Sequence, residues 1–214
     1  MHMFIPWWKR NQKRDFLRGY HIEFGGGRQM PYPGSFHGIC QRVEGFGGEL
    51  KQNIRRMYGS FVGFGGRGEM IPNPDTYCEI DPSAVDQWGI PVLRFHYRWS
   101  ENDIKMAKDM QETFEQIILA GGGEPLKSPS PPDRPYHLNR PGEVLHELGT
   151  VRMGDKPRTS ALNGFCQAHD VKNLFVMDGA GFVSNPDKNP TLTILALAWR
   201  ASDYLLEEAR KGNL

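Results

Sequence analysis

The sequence is short of the features that mark several common classes of protein. Its three cysteines, Cys40, Cys78 and Cys166, stand far apart. Lone, widely spaced thiols favour packing residues over a disulfide framework or a zinc site. A formal net charge of +1 gives no excess of one sign that would direct the chain to nucleic acid or to a membrane surface. No apolar run approaches the roughly 20 residues that are needed to span a bilayer.

What the sequence does have is abundant glycine and proline, which indicate many turns. Between these turns, alternating or β-rich runs predict strands. The predicted strands are Tyr20–Phe24, Ser60–Phe64, Thr76–Ile80 and Val92–Trp99. In the last of these strands Leu93 and Phe95 alternate with Arg94 and His96, which predicts one buried face and one polar face. A short helix is predicted over Glu49–Tyr58.

One glycine-rich stretch, GFGGRG at Gly63–Gly68, has the G-x-G-x-x-G spacing of loops that bind a dinucleotide pyrophosphate. That function requires a helix directly after the glycines, whose N-terminus meets the phosphates. Here Pro72 and Pro74 follow, and proline at those positions prevents such a helix. We therefore predict a glycine-rich turn between strands instead of a cofactor loop.

The second half of the chain predicts two long helices. Ser100 and Asp103 form a capping box before an apolar helical pattern that ends at Gly121. A proline-rich segment, residues 124–142, reads as a loop or boundary. The apolar run Asn173–Asp178 then predicts a buried strand, and Pro190–Lys211 a final helix. For that helix Asn189 suits the N-cap and Pro190 the first turn.

Three ordered motifs carry a family resemblance. They are HELGTVRMG (His146–Gly154), NLFVMDGAGF (Asn173–Phe182) and NPTLTILALA (Asn189–Ala198). In this order and at these spacings they resemble the C-terminal segment of the glucose–methanol–choline (GMC) family of FAD-dependent oxidoreductases. In detail the chain resembles bacterial sugar dehydrogenases, such as glucoside 3-dehydrogenases, and pyranose oxidases.

The resemblance implies roles for matching positions. His146 corresponds to the active-site histidine, and Asn189 to the position beside it that holds a second His or an Asn in the family. Asp178 and Gly179 match a pair that approaches the FAD ribityl and pyrophosphate groups, while Pro190 and Thr191 match backbone positions near the flavin ring. The implied reaction transfers a hydride from a sugar or alcohol CH–OH group to FAD N5 and a proton to His146. Histidine suits this step because its ordinary pKa lies near neutrality.

The same resemblance implies the domain organisation. We expect an α+β fold with a mostly antiparallel substrate-domain sheet and flanking helices over residues 1–142. Residues 143–214 are expected to form a catalytic, FAD-contacting segment, with the final strand and helix of an incomplete FAD-binding α/β domain. The N-terminal Rossmann half of the family has no counterpart here, so the expected partners are that half, the substrate and an electron acceptor. The acceptor (oxygen, quinone or cytochrome) and the compartment (bacterial cytoplasm or periplasm) stay open.

The same residues allow interpretations other than the enzymatic one. A zinc protease would require a second histidine where HELGT has Thr150. His169 beside Asp170 favours a structural role, and His96 could line a sugar site but is more simply a residue of a solvated sheet face. The alternative to an enzyme is a non-catalytic domain that binds carbohydrate or a partner and retains His146 and Asn189 as relics.

Overall fold

The computed structural model describes residues 2–6, 11–28, 33–126 and 129–214. The described residues form five strands in two sheets and four helices. The strands are β1 (His2–Ile5), β2 (Tyr20–Gly26), β3 (Val62–Gly68), β4 (Tyr77–Val85) and β5 (Pro91–His96). The helices are α1 (Pro33–Cys40), α2 (Gly47–Met57), α3 (Glu101–Ala120) and α4 (Thr191–Arg210), with short 3-10 turns at Pro135–His137 and Gly179–Gly181. The predicted mixture of helices and antiparallel sheet is confirmed.

The chain divides into two compact units. The first comprises residues 1–12 and 20–67 and contains a three-stranded sheet in the order β1-β2-β3 with helices α1 and α2. Strand β1 pairs antiparallel with β2, so that Phe4 lies opposite Glu23 and Ile5 opposite Ile22. Tyr20 and Ile22 are buried, and the ion pair of Glu23 with Arg67, at 2.9 Å, ties β2 to β3.

The GFGGRG stretch is part of strand β3, so the prediction of a turn there is wrong. Gly63 and Gly65 have open space at their missing Cβ positions, and the extended backbone accommodates them without a turn. The exclusion of a phosphate-binding helix after these glycines is confirmed, because β3 runs into an irregular segment at Glu69. A dinucleotide loop of the Rossmann kind is therefore not formed by Gly63–Gly68.

The second unit comprises residues 13–19 and 68–214. Its hairpin pairs β4 with β5 antiparallel, with Ile80 opposite Leu93 and Cys78 opposite Phe95. The prediction that this apolar face is buried is wrong, because Leu93 and Phe95 are 56% and 63% exposed. A two-stranded hairpin has two faces and only one layer, so alternation alone does not tell which face another element covers.

Helix α3 provides the core of the second unit. Its buried side chains recur at helical spacing and are Asp103, Met106, Ala107, Met110, Thr113 and Phe114. The predicted capping box is confirmed: Ser100 Oγ accepts from the Asp103 N–H at 3.2 Å, and the Asp103 carboxylate accepts from the Ser100 N–H at 2.9 Å. These bonds satisfy orphan donors at the helix start and fix where α3 begins.

Two predictions about the C-terminal part are corrected. Asn173–Asp178 is not a strand; Phe175 makes one isolated antiparallel bridge with Gln167, and the remaining residues are irregular. An apolar run forms a strand only where neighbouring strands accept its backbone hydrogen bonds. Helix α4 begins at Thr191 with Pro190 at the N-cap and without a side-chain cap, so Asn189 is not the cap. The predicted stop at Gly212, with a φ of +72°, is confirmed.

No helix within the described part of the chain combines the length and the apolar character that crossing a membrane would require.

We predict that Ser100→Ala lowers the free energy of unfolding by about 1 kcal/mol, the usual effect of removing an N-cap side chain. The physical reason is that the Asp103 N–H loses its acceptor. Urea unfolding followed by circular dichroism measures the change. Ser130→Ala, in an exposed loop, is the matched control; equal midpoints for the two variants would contradict a stabilising cap.

Candidate functional site

A main-chain ladder builds the site. The N–H groups of Gly149, Val151 and Met153 donate to the carbonyls of Gly179, Ala180 and Gly181 at 3.1, 2.9 and 2.9 Å respectively. Three hydrogen bonds thereby join residues 149–153 to residues 179–181, which are distant in the sequence. The ladder joins the segment that follows His146 to the segment that follows Asp178, although these two residues lie far apart in the sequence.

Close packing at this ladder requires glycine. Gly149 has a φ of +84°, and a Cβ there would lie 3.0 Å from the Phe182 carbonyl oxygen. Gly179 is buried, and a Cβ there would lie 2.3 Å from Leu148 Cδ2. Any side chain at Gly149 would therefore meet both a strained backbone and a close carbonyl.

Next to the ladder lies a cleft of about 420 Å³, which we call the His146 cleft. Five of the six predicted site residues line it: His146, Asp178, Gly179, Pro190 and Thr191. The remaining lining residues are Leu145, Glu147, Leu148, Thr150, Ala180 and Ile194. Asn189 is exposed in the loop before α4 and is not among the lining residues. Thr150 also lines the cleft, although it is not among the predicted site residues.

Asp178 and Pro190 shape two walls of the cleft. The Asp178 carboxylate accepts from the Ala180 N–H at 2.8 Å and so starts the 3-10 turn that carries Gly179. Pro190 is buried, and directly after it α4 begins without a capping side chain. The first N–H groups of a helix have no intrahelical acceptor and carry partial positive charge. The N-terminal start of α4 thus offers N–H donors, which no side chain caps, to an electron-rich ligand in the cleft.

Contacts along α4 hold its start in position. The Arg200 guanidinium donates to the Gly164 carbonyl and lies 5.4 Å from the centre of the Phe165 ring. Phe165 in turn stacks on Tyr204 with ring centres 4.2 Å apart, and Ala201 is fully buried. These contacts attach the middle of the helix to residues 164–165, while Thr191 and Ile194, in its first turn, line the cleft.

The end of strand β5 lies close to the histidine segment. Burial raises the pKa of the Tyr97 phenol, and the negative charges of Asp103 and Glu147 raise it further. Glu147 is the neighbour of His146 and also lines the cleft. Tyr97 therefore keeps its proton over the whole working range of pH and can act only as a neutral hydrogen-bonding group.

The other histidines that the sequence analysis considered have structural surroundings. His169 Nε2 lies 3.1 Å from the Gly154 carbonyl oxygen and 3.1 Å from Ser160 Oγ, so that it must donate a proton to the carbonyl. A ring nitrogen that donates a proton to a carbonyl cannot at the same time accept the proton of Ser160. Ser160 and His169 therefore do not form a nucleophilic dyad. His96 stacks on Tyr77 and meets Glu79 at 2.8 Å across the hairpin.

The described residues do not form a metal-binding site of clustered side chains. Within the described ranges, no group of three or more His, Cys, Asp or Glu side chains comes together as metal ligands. Burial raises the pKa of the Cys166 thiol. The charge of Arg200 lowers this pKa and that of Asp178 raises it, so the net shift is upward. Cys166 is a buried packing residue and stays protonated near neutral pH.

His146 and the uncapped start of α4 thus line one cleft, and comparisons with known proteins give the family of the chain. The GMC oxidoreductase C-terminal family model matches residues 72–198. The chain belongs to the GMC oxidoreductase family and corresponds to its C-terminal part.

Individual relatives agree with that assignment. A 2-methyl-1,2-propanediol dehydrogenase from Mycolicibacterium austroafricanum is 36% identical over 64% of this chain and 24% of its own length. A C-glycoside 3-oxidase from Arthrobacter globiformis is 30% identical over 90% of this chain and 36% of its own length. The chain therefore spans about a quarter to a third of the curated relatives that it matches.

A solved structure shares the fold. The crystal structure of pyridoxine 4-oxidase from Mesorbium loti matches with a TM-score of 0.52, at 18% identity, over 87% of this chain and 34% of that one. At this level of identity the match speaks for the fold alone.

We predict that Gly149→Ala lowers the free energy of unfolding by about 2–3 kcal/mol, from a left-handed backbone plus a close carbonyl contact. Gly142→Ala is the matched control, since Gly142 also has a positive φ of +79° but open space around it. The control should cost about 1 kcal/mol, the strain of the backbone alone. Chemical unfolding of both variants decides; equal losses would contradict the close approach at Gly149.

Proposed function

We propose that this chain is the substrate-domain and catalytic portion of an FAD-dependent oxidoreductase that oxidises a CH–OH group of a sugar or related alcohol. The observation that carries the proposal is the shared cleft: His146 and the uncapped start of α4 face the same space. Such a site can accept a proton and stabilise negative charge at one place. Alcohol oxidation by a flavin requires both.

The lining residues fit one end of a flavin. Gly179 and Ala180 bring main chain to the wall of the cleft, and Pro190 and Thr191 bring the positive end of α4 to it. Asp178 already accepts from the Ala180 N–H, so we assign it the shaping of that turn and contact with a ribityl hydroxyl. A carboxylate would repel a phosphate, which argues against direct contact with the pyrophosphate.

Bound FAD supplies the acceptor for the hydride that leaves the substrate carbon. Within this chain, His146 takes the hydroxyl proton. The C–H bond of the substrate carbon and the O–H bond of its hydroxyl group break, and the C–O single bond becomes a carbonyl. Asn189, in the exposed loop before α4, is assigned a hydrogen bond from its amide to the substrate oxygen. The start of α4 stabilises the negative charge that builds up during the reaction.

The substrate class comes from the relatives. One is named for a diol and another for a C-glycoside, and both are named as enzymes that oxidise these compounds. A sugar or related polyol is therefore the substrate class that we propose for this chain. Polar groups on the hairpin, such as Glu79, Arg94 and His96, are suited to hydroxyl-rich ligands, although each already has a partner within the hairpin.

The remaining partner that we propose is the N-terminal FAD-binding half of the family. Helix α4 leaves a row of large apolar side chains uncovered, at spacings that lie along one side of the helix. They are Leu192, Leu195, Trp199 and Leu206, with exposures of 80%, 61%, 76% and 53%. A row of this size favours burial against further protein. In this proposal residues 1–142 form the substrate domain and residues 143–214 complete the FAD-binding domain.

We predict that His146→Ala, in the longest natural chain that contains these residues and with FAD bound, lowers turnover by about 10² or more. The reason is the loss of the group that takes the hydroxyl proton. Steady-state oxidation of sugars with an artificial electron acceptor measures turnover, and the visible flavin spectrum reports that FAD is still bound.

His37→Ala is the control for that experiment, because His37 is an exposed histidine on α1 whose ring nitrogen lies 3.0 Å from the side-chain nitrogen of Gln41. It should leave turnover unchanged. Full turnover in His146→Ala would reject the assigned role.

A further inference from the structure

A hydrogen bond from a side chain outside the motif holds the main chain at His146. The Asn185 side-chain amide donates from Nδ2 to the His146 carbonyl oxygen at 2.6 Å. The chain around His146 is neither helix nor strand between Gly142 and Gly149. Its next main-chain anchor is the Gly149 N–H on the Gly179 carbonyl. Asn185 therefore fixes the irregular segment three residues before the ladder begins.

Asn185 is itself held independently of His146. Its N–H donates to the Met70 carbonyl at 3.1 Å, and its carbonyl accepts from the Met70 N–H at 2.9 Å. The neighbouring Ser184 hydroxyl donates to the Glu69 carboxylate at 3.2 Å. The Met70 sulfur in turn accepts from the Tyr97 hydroxyl at 3.3 Å. The turn that presents the amide is thus anchored to residues 69–70, and through Met70 to the end of β5.

The same residue also begins the loop to α4. Five residues, from Asn185 to Asn189, connect the anchored turn to buried Pro190. The main chain of Asn185 starts this loop, and its side chain holds His146. The separation between the two proposed catalytic residues is therefore set at Asn185, through one side-chain bond and one short loop.

We propose that Asn185 is a positioning residue that holds His146 in register with Asn189 and the start of α4. The inference rests on the proposed role of His146, but its evidence is the contact between Asn185 and the His146 carbonyl. Proton transfer depends steeply on placement, and a misplacement of about 1 Å is enough to reduce a rate 10²-fold. A donor that fixes the main chain below the base is a means of preventing such misplacement.

The test replaces the donor while keeping the size of the side chain. Asn185→Asp has a carboxylate at neutral pH, which cannot donate to a carbonyl and repels it. In the longest natural chain with FAD bound, we expect kcat to fall about tenfold or more while KM changes less than about twofold. Loss confined to kcat indicates a group misplaced for the chemical step, since substrate binding is retained.

A second readout does not depend on turnover. In the 214-residue chain with labelled histidines, the ring ¹H–¹³C signal of His146 is assigned from its loss in His146→Gln. We expect this signal to shift or broaden in Asn185→Asp and to stay in place in Ser184→Ala. Ser184→Ala is the matched control, because it breaks the Glu69 contact of the same turn and leaves the His146 carbonyl its donor.

The outcomes separate cleanly. An unchanged His146 signal and unchanged kcat in Asn185→Asp overturn the inference, and so does an equal loss in Ser184→Ala. If Asn185→Asp proves unfolded by circular dichroism, Asn185→Ala, which removes the donor without adding charge, takes its place with the same expected results. Full turnover in His146→Ala alongside a shifted His146 signal in Asn185→Asp would reject the proposed catalytic role while leaving the positioning contact supported.

Discussion

The site depends on the three main-chain hydrogen bonds that join residues 149–153 to residues 179–181. They are short-range in space and long-range in sequence, so they are formed only when the second unit is folded. Residues 149–153 form neither helix nor strand and residues 179–181 form a single 3-10 turn, so both segments depend on the ladder for their position. The ladder determines that His146 and Asp178 share one cleft, and the chain after it leads through Asn185 to the start of α4.

The architecture around that ladder is unevenly covered. The core lies along α3, where Met106, Met110 and Phe114 are buried, while α4 and the hairpin expose large apolar side chains. Each such side chain would contribute roughly 1.5–3 kcal/mol if it were fully removed from water. The chain matches 24% and 36% of the length of two curated relatives, and the FAD-binding half that we propose as a partner would account for this contrast.

Local signals predict helices α2, α3 and α4, whereas helix α1 has no counterpart among the predicted elements. The capping box at Ser100 and Asp103 acts within one turn of α3, and Gly212 acts within one turn of the end of α4. Both predictions are confirmed. The strand predicted at Asn173–Asp178 failed because a strand is completed by its neighbours, which no local pattern reports. The buried face predicted for Leu93 and Phe95 failed for the same reason: burial requires a covering layer.

The candidate site shows the same division between local and distant information. The motifs predicted five of the residues that line the cleft, because each motif fixes its own loop. Asn189 was placed at the helix cap, yet Pro190 occupies that position and Asn189 is exposed. Asn185 escaped prediction altogether, since its partner is a main-chain carbonyl 39 positions away and the amide gives no local sign of it.

We propose that the His146 cleft contacts the flavin, and hydrogen–deuterium exchange can detect this contact. The measurement compares the longest natural chain that contains these residues with FAD bound and with FAD removed, resolved to single amides. We expect slower exchange with FAD bound at Ala180 and at Thr191–Thr193, whose N–H groups border the cleft or begin α4. Unchanged exchange at these amides, with protection elsewhere proving that FAD is bound, would contradict it.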